Sequence, residues 1–243
     1  STILEHSDAQ ELLDQATVEP ESLRPCRLRL TNFIARYLPC FVRTELQEHA
    51  RTILQGKLTS LDRKTTEPIA IQAEKLGRLL QRFLGEGLWS DDARRSEMAR
   101  HVAQKTAEPP GVLILDPGAF PKKGNQSCGV ARQWCSCLGK TDNCQVGVFL
   151  AYASSQGKTL VDSELYLPKA RAEDPKHRAK THVPPEVVLQ QKWRIGLDLL
   201  ERRGEELPHG WVCADSELGR VADFDESLRV EASGMCWMCH VTR

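Results

Sequence analysis

Apolar positions in the first hundred residues recur at helical spacing. Leu30, Phe33, Ile34, Tyr37 and Leu38 stand at i, i+3, i+4, i+7 and i+8, one face of an α-helix. Pro39 interrupts that face, and the pattern predicts a second helix from about Arg43 to Leu54 with Gly56 as its stop. Pro68 opens a further short helix, and Leu79, Leu80, Phe83 and Leu84 mark the face of another, closed by Gly85 and Gly87. Ser90 followed by Asp91 and Asp92 supplies an N-cap and an acidic first turn for a helix through Met98 and Val102. Pro109, Pro110 and Gly111 then break the pattern.

Beyond that break the period changes. Val112 to Asp116 is a short apolar run ending in an acid, Gln145 to Ala153 is apolar on most positions, and Thr159 to Leu167 alternates. Leu189, Trp193, Gly196, Leu197 and Leu200 mark a helix that Pro184 and Pro185 introduce. Trp211 to Asp215 is a second short apolar run ending in an acid, followed by a predicted helix near Phe224 to Glu231 and a last strand from Met235 to Val241. The stretch from Lys169 to Lys180, mixed in charge, reads as an exposed loop. The order β, β, β, α, β, α, β predicts an α/β class, with a helical N-terminal domain over residues 1–110 and a mixed sheet over 111–243.

Composition narrows this little. With 243 residues, 40% hydrophobic and 27% charged, the chain is an ordinary globular one, and its formal charge of +0 announces no polyanionic partner. A local basic patch is still enough for one. No stretch reaches the roughly 20 apolar residues a bilayer span needs. The polar, acidic start STILEHSDAQELLDQ resembles no targeting peptide, so a cytoplasmic location is expected. Nine cysteines there read as reduced thiols.

The chemistry rests on the two strand-end acids. Carboxyl ends of strands are where α/β sheets collect ligands. Asp116 and Asp215 are distant in sequence, yet neighbouring strands would set them side by side as hard oxygen donors for Mg²⁺ or Mn²⁺. The bland alternative is that each only caps a turn. Cys128, Cys135, Cys137 and Cys144 are enough ligands for a structural Zn²⁺, but their spacing lacks paired C-x₂₋₄-C knuckles. Cys236-Trp-Met-Cys-His240 matches a haem-attachment pattern in letters, in a run that reads as a strand.

Several ordered blocks carry a resemblance. They are Leu115-Asp-Pro-Gly-Ala-Phe-Pro-Lys-Lys-Gly124, Ser127-Cys-Gly-Val-Ala-Arg-Gln-Trp134, Leu138-Gly-Lys140, Asn143-Cys-Gln-Val-Gly-Val-Phe-Leu-Ala-Tyr152 and Leu165-Tyr-Leu-Pro168. Val183-Pro-Pro-Glu186, Trp211-Val-Cys-Ala-Asp215 and Gly219-Arg220 continue it, with Arg63-Lys64 and Leu79-Leu-Gln-Arg-Phe-Leu84 upstream. Over about residues 28 to 243 the chain is similar to bacterial insertion-sequence transposases of the DDE type. That resemblance implies an RNase H-like core in which Asp, Asp and Glu hold two divalent ions. It implies metal-dependent cleavage and joining of DNA at transposon ends, and a homodimer that brings two ends together.

Asp116 and Asp215 match the first two acids. Pro117 stands where many relatives carry a second acid, and the third acid and the usual β-rich insertion before it have no counterpart. Glu217, Glu226 and Glu231 precede the last strand and do not fill the place. The expectation is therefore an incomplete RNase H-like core in a truncated chain, a decayed gene product, or the N-terminal piece of something longer, with strand transfer absent or feeble. Lys122 and Lys123, with Arg132 and Lys140, are candidate DNA-backbone contacts under the resemblance, and solvated side chains otherwise. Arg24, Arg27, Arg29, Arg36 and Arg43 form a second basic group, either a DNA track or a solvated helix face. Two rivals stand beside the enzyme reading: a non-catalytic DNA-binding fragment that competes with full-length transposase, and a relic that aggregates.

Overall fold

The computed structural model describes residues 20–87, 89–219, 221–224 and 237–241, with the backbone alone at 20–23 and 237–241. Helices α1 (Pro20–Tyr37), α2 (Thr44–Lys57), α3 (Thr66–Gln72), α4 (Gly77–Glu86) and α5 (Asp91–Thr106) come first. Strands β1 (Val112–Pro121), β2 (Ala131–Cys135), β3 (Lys140–Ser154) and β4 (Gly157–Leu165) follow. Then come α6 (Lys169–Ala172), α7 (Pro175–Lys180), α8 (Lys192–Arg203), β5 (Trp211–Asp215), α9 (Ser216–Gly219) and β6 (Trp237–Val241). The chain divides into two compact units between Glu97 and Met98.

The first unit is helical, as its periodicity predicts. Ser90 caps α5, its Oγ accepting from the Ala93 N–H at 3.1 Å. Gly56 does not stop α2, which runs on to Lys57. A Cβ at Gly56 would lie 2.4 Å from an Ile69 methyl, so glycine lets α3 approach α2 there. Phe41, Ala50 and Phe83 form one small core, with Trp89 stacked on Phe83 at 6.0 Å and donating its indole N–H to the Phe83 carbonyl at 3.1 Å. Ile69, Ala70 and Leu80 form another. Arg36 pairs with Glu97.

The second unit is a six-stranded mixed sheet in the order β2-β3-β1-β5-β6, with β4 also on β3. β3 runs antiparallel to β1, β2 and β4, whereas β5 is parallel to β1 and β6 parallel to β5. This is the RNase H-like core that the resemblance implies, built around one face where Leu113, Leu115, Val148, Leu150 and Tyr152 pack with Ile195, Leu197 and Leu199 of α8. Gly196 permits that approach, since a Cβ there would already sit 3.3 Å from Leu115. Two buried polar devices fix the edges of this core. Arg203 at the end of α8 donates to Asp162 of β4 at 2.8 Å, with Asp162 3% and Arg203 4% exposed. The Tyr152 hydroxyl donates to the Pro208 carbonyl at 2.6 Å and accepts from the Glu108 N–H at 3.0 Å.

Several boundaries differ from the pattern-based expectation. β1 continues five residues past Asp116, because β3 goes on pairing with it to Pro121 opposite Cys144. β2 is an added strand, pairing with Lys140–Cys144. Residues 169–180 form two short helices rather than a loop, the second capped by the Asp174 carboxylate accepting from the His177 N–H at 3.0 Å. α8 begins at Lys192, well after the two prolines. The backbone of β6 lies within the span expected for a last strand. Apart from its first residue, Phe224, the helix expected near 224–231 falls outside the described residues.

Candidate active site

β1 and β5 pair in parallel from Val112 beside Trp211 to Leu115 beside Ala214. The next step along both strands brings Asp116 and Asp215 level on neighbours about 4.8 Å apart. Side chains alternate across a sheet. Leu115 and Ala214 are buried in the core, so the two aspartates project from the opposite face. There Asp116 is exposed and Asp215 half-buried. The inward leucine and alanine anchor the strands, and the acids beside them meet solvent.

The strands end differently at this point. β5 stops at Asp215, whose Oδ1 accepts from the Ser216 N–H at 2.7 Å as the chain turns into α9. β1 carries on, and Lys122 N–H still donates to the Asn143 carbonyl at 2.9 Å. In that antiparallel register the even positions of β1 bond to β3, so Pro117 and Pro121 turn their missing N–H away from β3. β5 has ended there, which is why Pro117 is tolerated. A carboxylate in its place would have had to be buried, for Pro117 is a buried position.

Two carboxylates level on adjacent strands, one of them oriented by a backbone N–H, suit a hard divalent cation. Among the described residues no group of three or more His, Cys, Asp or Glu side chains is arranged to hold a metal. Glu217 is engaged elsewhere, accepting from Lys192 Nζ at 2.5 Å, and that ammonium lies 5.4 Å from the Tyr166 ring.

Three of the basic candidates, Lys122, Lys123 and Arg132, lie about Asn143. Its side-chain amide donates to the carbonyls of Lys122 at 2.7 Å and Gly124 at 2.9 Å, pinning the loop that carries Lys122 and Lys123. Arg132 stands opposite Asn143 on β2 and is exposed. Lys140 is paired with Asp142 at 3.1 Å. The Asn143 N–H, then Lys140, hold the Asp142 carboxyl below the ordinary carboxylate range. Nothing local in the sequence marks Asn143, which stands among the polar residues Lys140, Thr141, Asp142 and Gln145. Of the N-terminal arginines, Arg36 is committed to Glu97 and Arg29 donates to Cys26 Sγ at 3.0 Å.

The four cysteines do not assemble as one ligand set. Cys135 and Cys137 lie 3.5 Å apart, and Cys144 packs with Cys135 and Val146 in a small apolar cluster. Burial first, then a hydrogen bond with Cys135, pushes the Cys144 thiol up to about 11, so it stays protonated. Cys128, half-buried, has Arg178 as its charged neighbour instead. The side chains of Cys236, Cys239 and His240 lie outside the described residues. Among the described residues no helix is long and apolar enough to cross a membrane.

Known proteins bear on this arrangement in two ways. Residues 36–236 match the family described as DDE superfamily endonuclease. A relative from Microchaete diplosiphon, described as a probable transposase for insertion sequence element IS701, is 28% identical over 169 residues. That match covers 68% of this chain but 44% of the relative, so the chain spans under half the length of the curated relative it matches. The family match takes in both aspartate-bearing strands and the three strands between them in sequence, and this chain belongs to the DDE superfamily of endonucleases.

Proposed function

We propose that this chain supplies the first two acidic ligands and part of the DNA-binding surface of an insertion-sequence transposase, whose reaction is metal-dependent cleavage and joining of DNA. The observation that carries the reading is the parallel register of β1 and β5, which runs to Leu115 beside Ala214 and so sets Asp116 and Asp215 one step on, where β5 stops and β1 continues. Mg²⁺ or Mn²⁺ held there would neutralise charge on the attacking and leaving oxygens of an in-line phosphodiester displacement. The Ser216 N–H orients the Asp215 carboxylate. Lys122, Lys123 and Arg132 meet the DNA phosphates, whereas Lys140 contributes less because Asp142 already shares its charge. Water or a 3′-hydroxyl is the nucleophile, and the bond to the departing oxygen of the same phosphate breaks as the new one forms. Joining at two transposon ends calls for a second copy of the chain.

With no third carboxylate beside the pair among the described residues, a second ion binds weakly. Strand transfer by this chain alone is then feeble. The testable property is coupling between metal and DNA. Mn²⁺ should strengthen binding of a labelled duplex several-fold to the wild type, and leave Asp116→Asn and Asp215→Asn unchanged. Salt-dependent binding with no Mn²⁺ effect in any of the three proteins would replace this reading with a non-catalytic DNA-binding fragment that competes with full-length transposase.

A further inference from the structure

The acid pair does not sit alone on its face. Pairing of β1 with β3, and of β3 with β2, runs without a register shift from Asp116 outward. Opposed residues of an antiparallel pair share a face. Asp116 opposes Phe149, Gly118 opposes Gly147, and Phe120 opposes Gln145. Arg132 opposes Asn143 and Trp134 opposes Thr141. All of these β3 positions are odd-numbered, so Asp116, Phe120, Arg132 and Trp134 look out from one surface. Burial agrees, for the even positions Cys144, Val146 and Val148 lie in the core.

This surface has an unusual composition beside a polar site. Phe120 is 51% exposed and Trp134 57% exposed. Phe149 lies edge-to-face with Phe120 at 5.9 Å. Its ring rests over the two opposed glycines, where a Cβ on Gly118 would be 3.0 Å and one on Gly147 3.1 Å from ring carbons. The glycines are thus a floor that keeps Phe149 low and supports Phe120 from the side. Phe120 on β1 and Trp134 on β2 flank β3, roughly 13 Å apart along that strand and roughly 10 Å apart across it. Exposed Arg132 stands between them along β3, and Lys122, paired with the same Asn143, continues the face.

Aromatic rings alternating with cations, next to phosphodiester chemistry, fit a strand whose bases are unpaired. Each nucleobase has a face to stack, and each phosphate a charge to match. A paired duplex hides its base faces and would leave the rings unused. We propose that this face holds an unpaired DNA strand leading away from the acid pair, with Phe120 and Trp134 each stacking a base and Arg132 meeting the phosphate between them. The inference rests on the DNA-processing reading above and adds the form of DNA and the residues that select it.

The test uses the full chain and two labelled probes, a blunt duplex and the same duplex with a ten-nucleotide thymidine overhang, compared by fluorescence anisotropy at one salt concentration. The wild type should bind the overhang probe about tenfold more tightly than the blunt one. Phe120→Ala and Trp134→Ala should each lose most of that preference with blunt-duplex affinity kept, and Phe120→Tyr and Trp134→Phe should retain it. A wild type without preference, or alanine variants that keep it, would overturn the proposal while leaving duplex binding intact. Loss of self-association in the alanine variants, with the preference unchanged, would mark the face as a protein contact instead. Binding of neither probe would remove the DNA reading itself and this proposal with it.

Discussion

The two halves of the sheet differ in what lies on them. In the inner half, Leu113, Leu115, Val148 and Leu150 are covered by α8 and locked at the edge by Arg203 and Asp162. In the outer half, beyond Asp116, one face carries the small cluster of Cys135, Cys144 and Val146 with Ala119 and Tyr166 against it, and the other carries exposed Phe120 and Trp134. The acids stand where one half passes into the other. Their backbone is held by a deep core, while their carboxylates project from the face opposite it. Rigidity and access thereby come from different residues, and the two can be altered separately.

The largest effect should come from the inner edge. Asp162→Ala leaves the buried Arg203 guanidinium without its carboxylate, and urea unfolding of the second unit should show a loss of about 3–5 kcal/mol. Leu115→Ala, one residue from the first acid, should cost about 2–5 kcal/mol by the same measurement. Phe120→Ala, only four residues beyond Asp116, should stay within about 0.5 kcal/mol. A Phe120 loss as large as that of Leu115 would mean that the outer half is a core and not a surface.

A smaller effect belongs to pH. The buried Cys144 thiol has its pKa raised to about 11. Its folded form is therefore favoured fully below the ordinary thiol range, and that contribution is lost as pH rises through about 11. Melting temperature should fall across this alkaline window, and Cys144→Ala should flatten that part of the curve. Smallest is the effect of the loop: Lys122→Ala and Lys123→Ala should each reduce the slope of log binding constant against log salt by about 0.9 if each meets one duplex phosphate.

The sequence made the inner half readable and left much of the outer half hidden. Val112 to Asp116 and Trp211 to Asp215 announce themselves as apolar runs closed by acids, and their pairing is the one the resemblance needs. The continuation of β1 through Pro117 and Pro121 defies local propensity, and only the non-local partner β3 explains it. β2 is a five-residue strand paired with the start of β3, too short for any periodicity within Ala131–Cys135 to reveal it. Asp174 before Pro175 is a legible helix start, set among mixed charges that equally suit an exposed loop. Gly56 shows the reverse error, a glycine read as a stop when the helix needed it for Ile69. Lys122, Lys123, Arg132 and Lys140 are visible as charges, but that the first three lie about Asn143 while Lys140 pairs with Asp142 depends on register.

The central claim is that Asp116 and Asp215 form one cation site. Mn²⁺ titration of the purified chain, followed by the electron-paramagnetic signal of the free ion, tests it directly against Asp116→Ala and Asp215→Ala. The account predicts binding by the wild type and its loss in both variants, with both still unfolding cooperatively in the absence of metal. Binding that survives either substitution, or a folded wild type that binds no Mn²⁺, would contradict it.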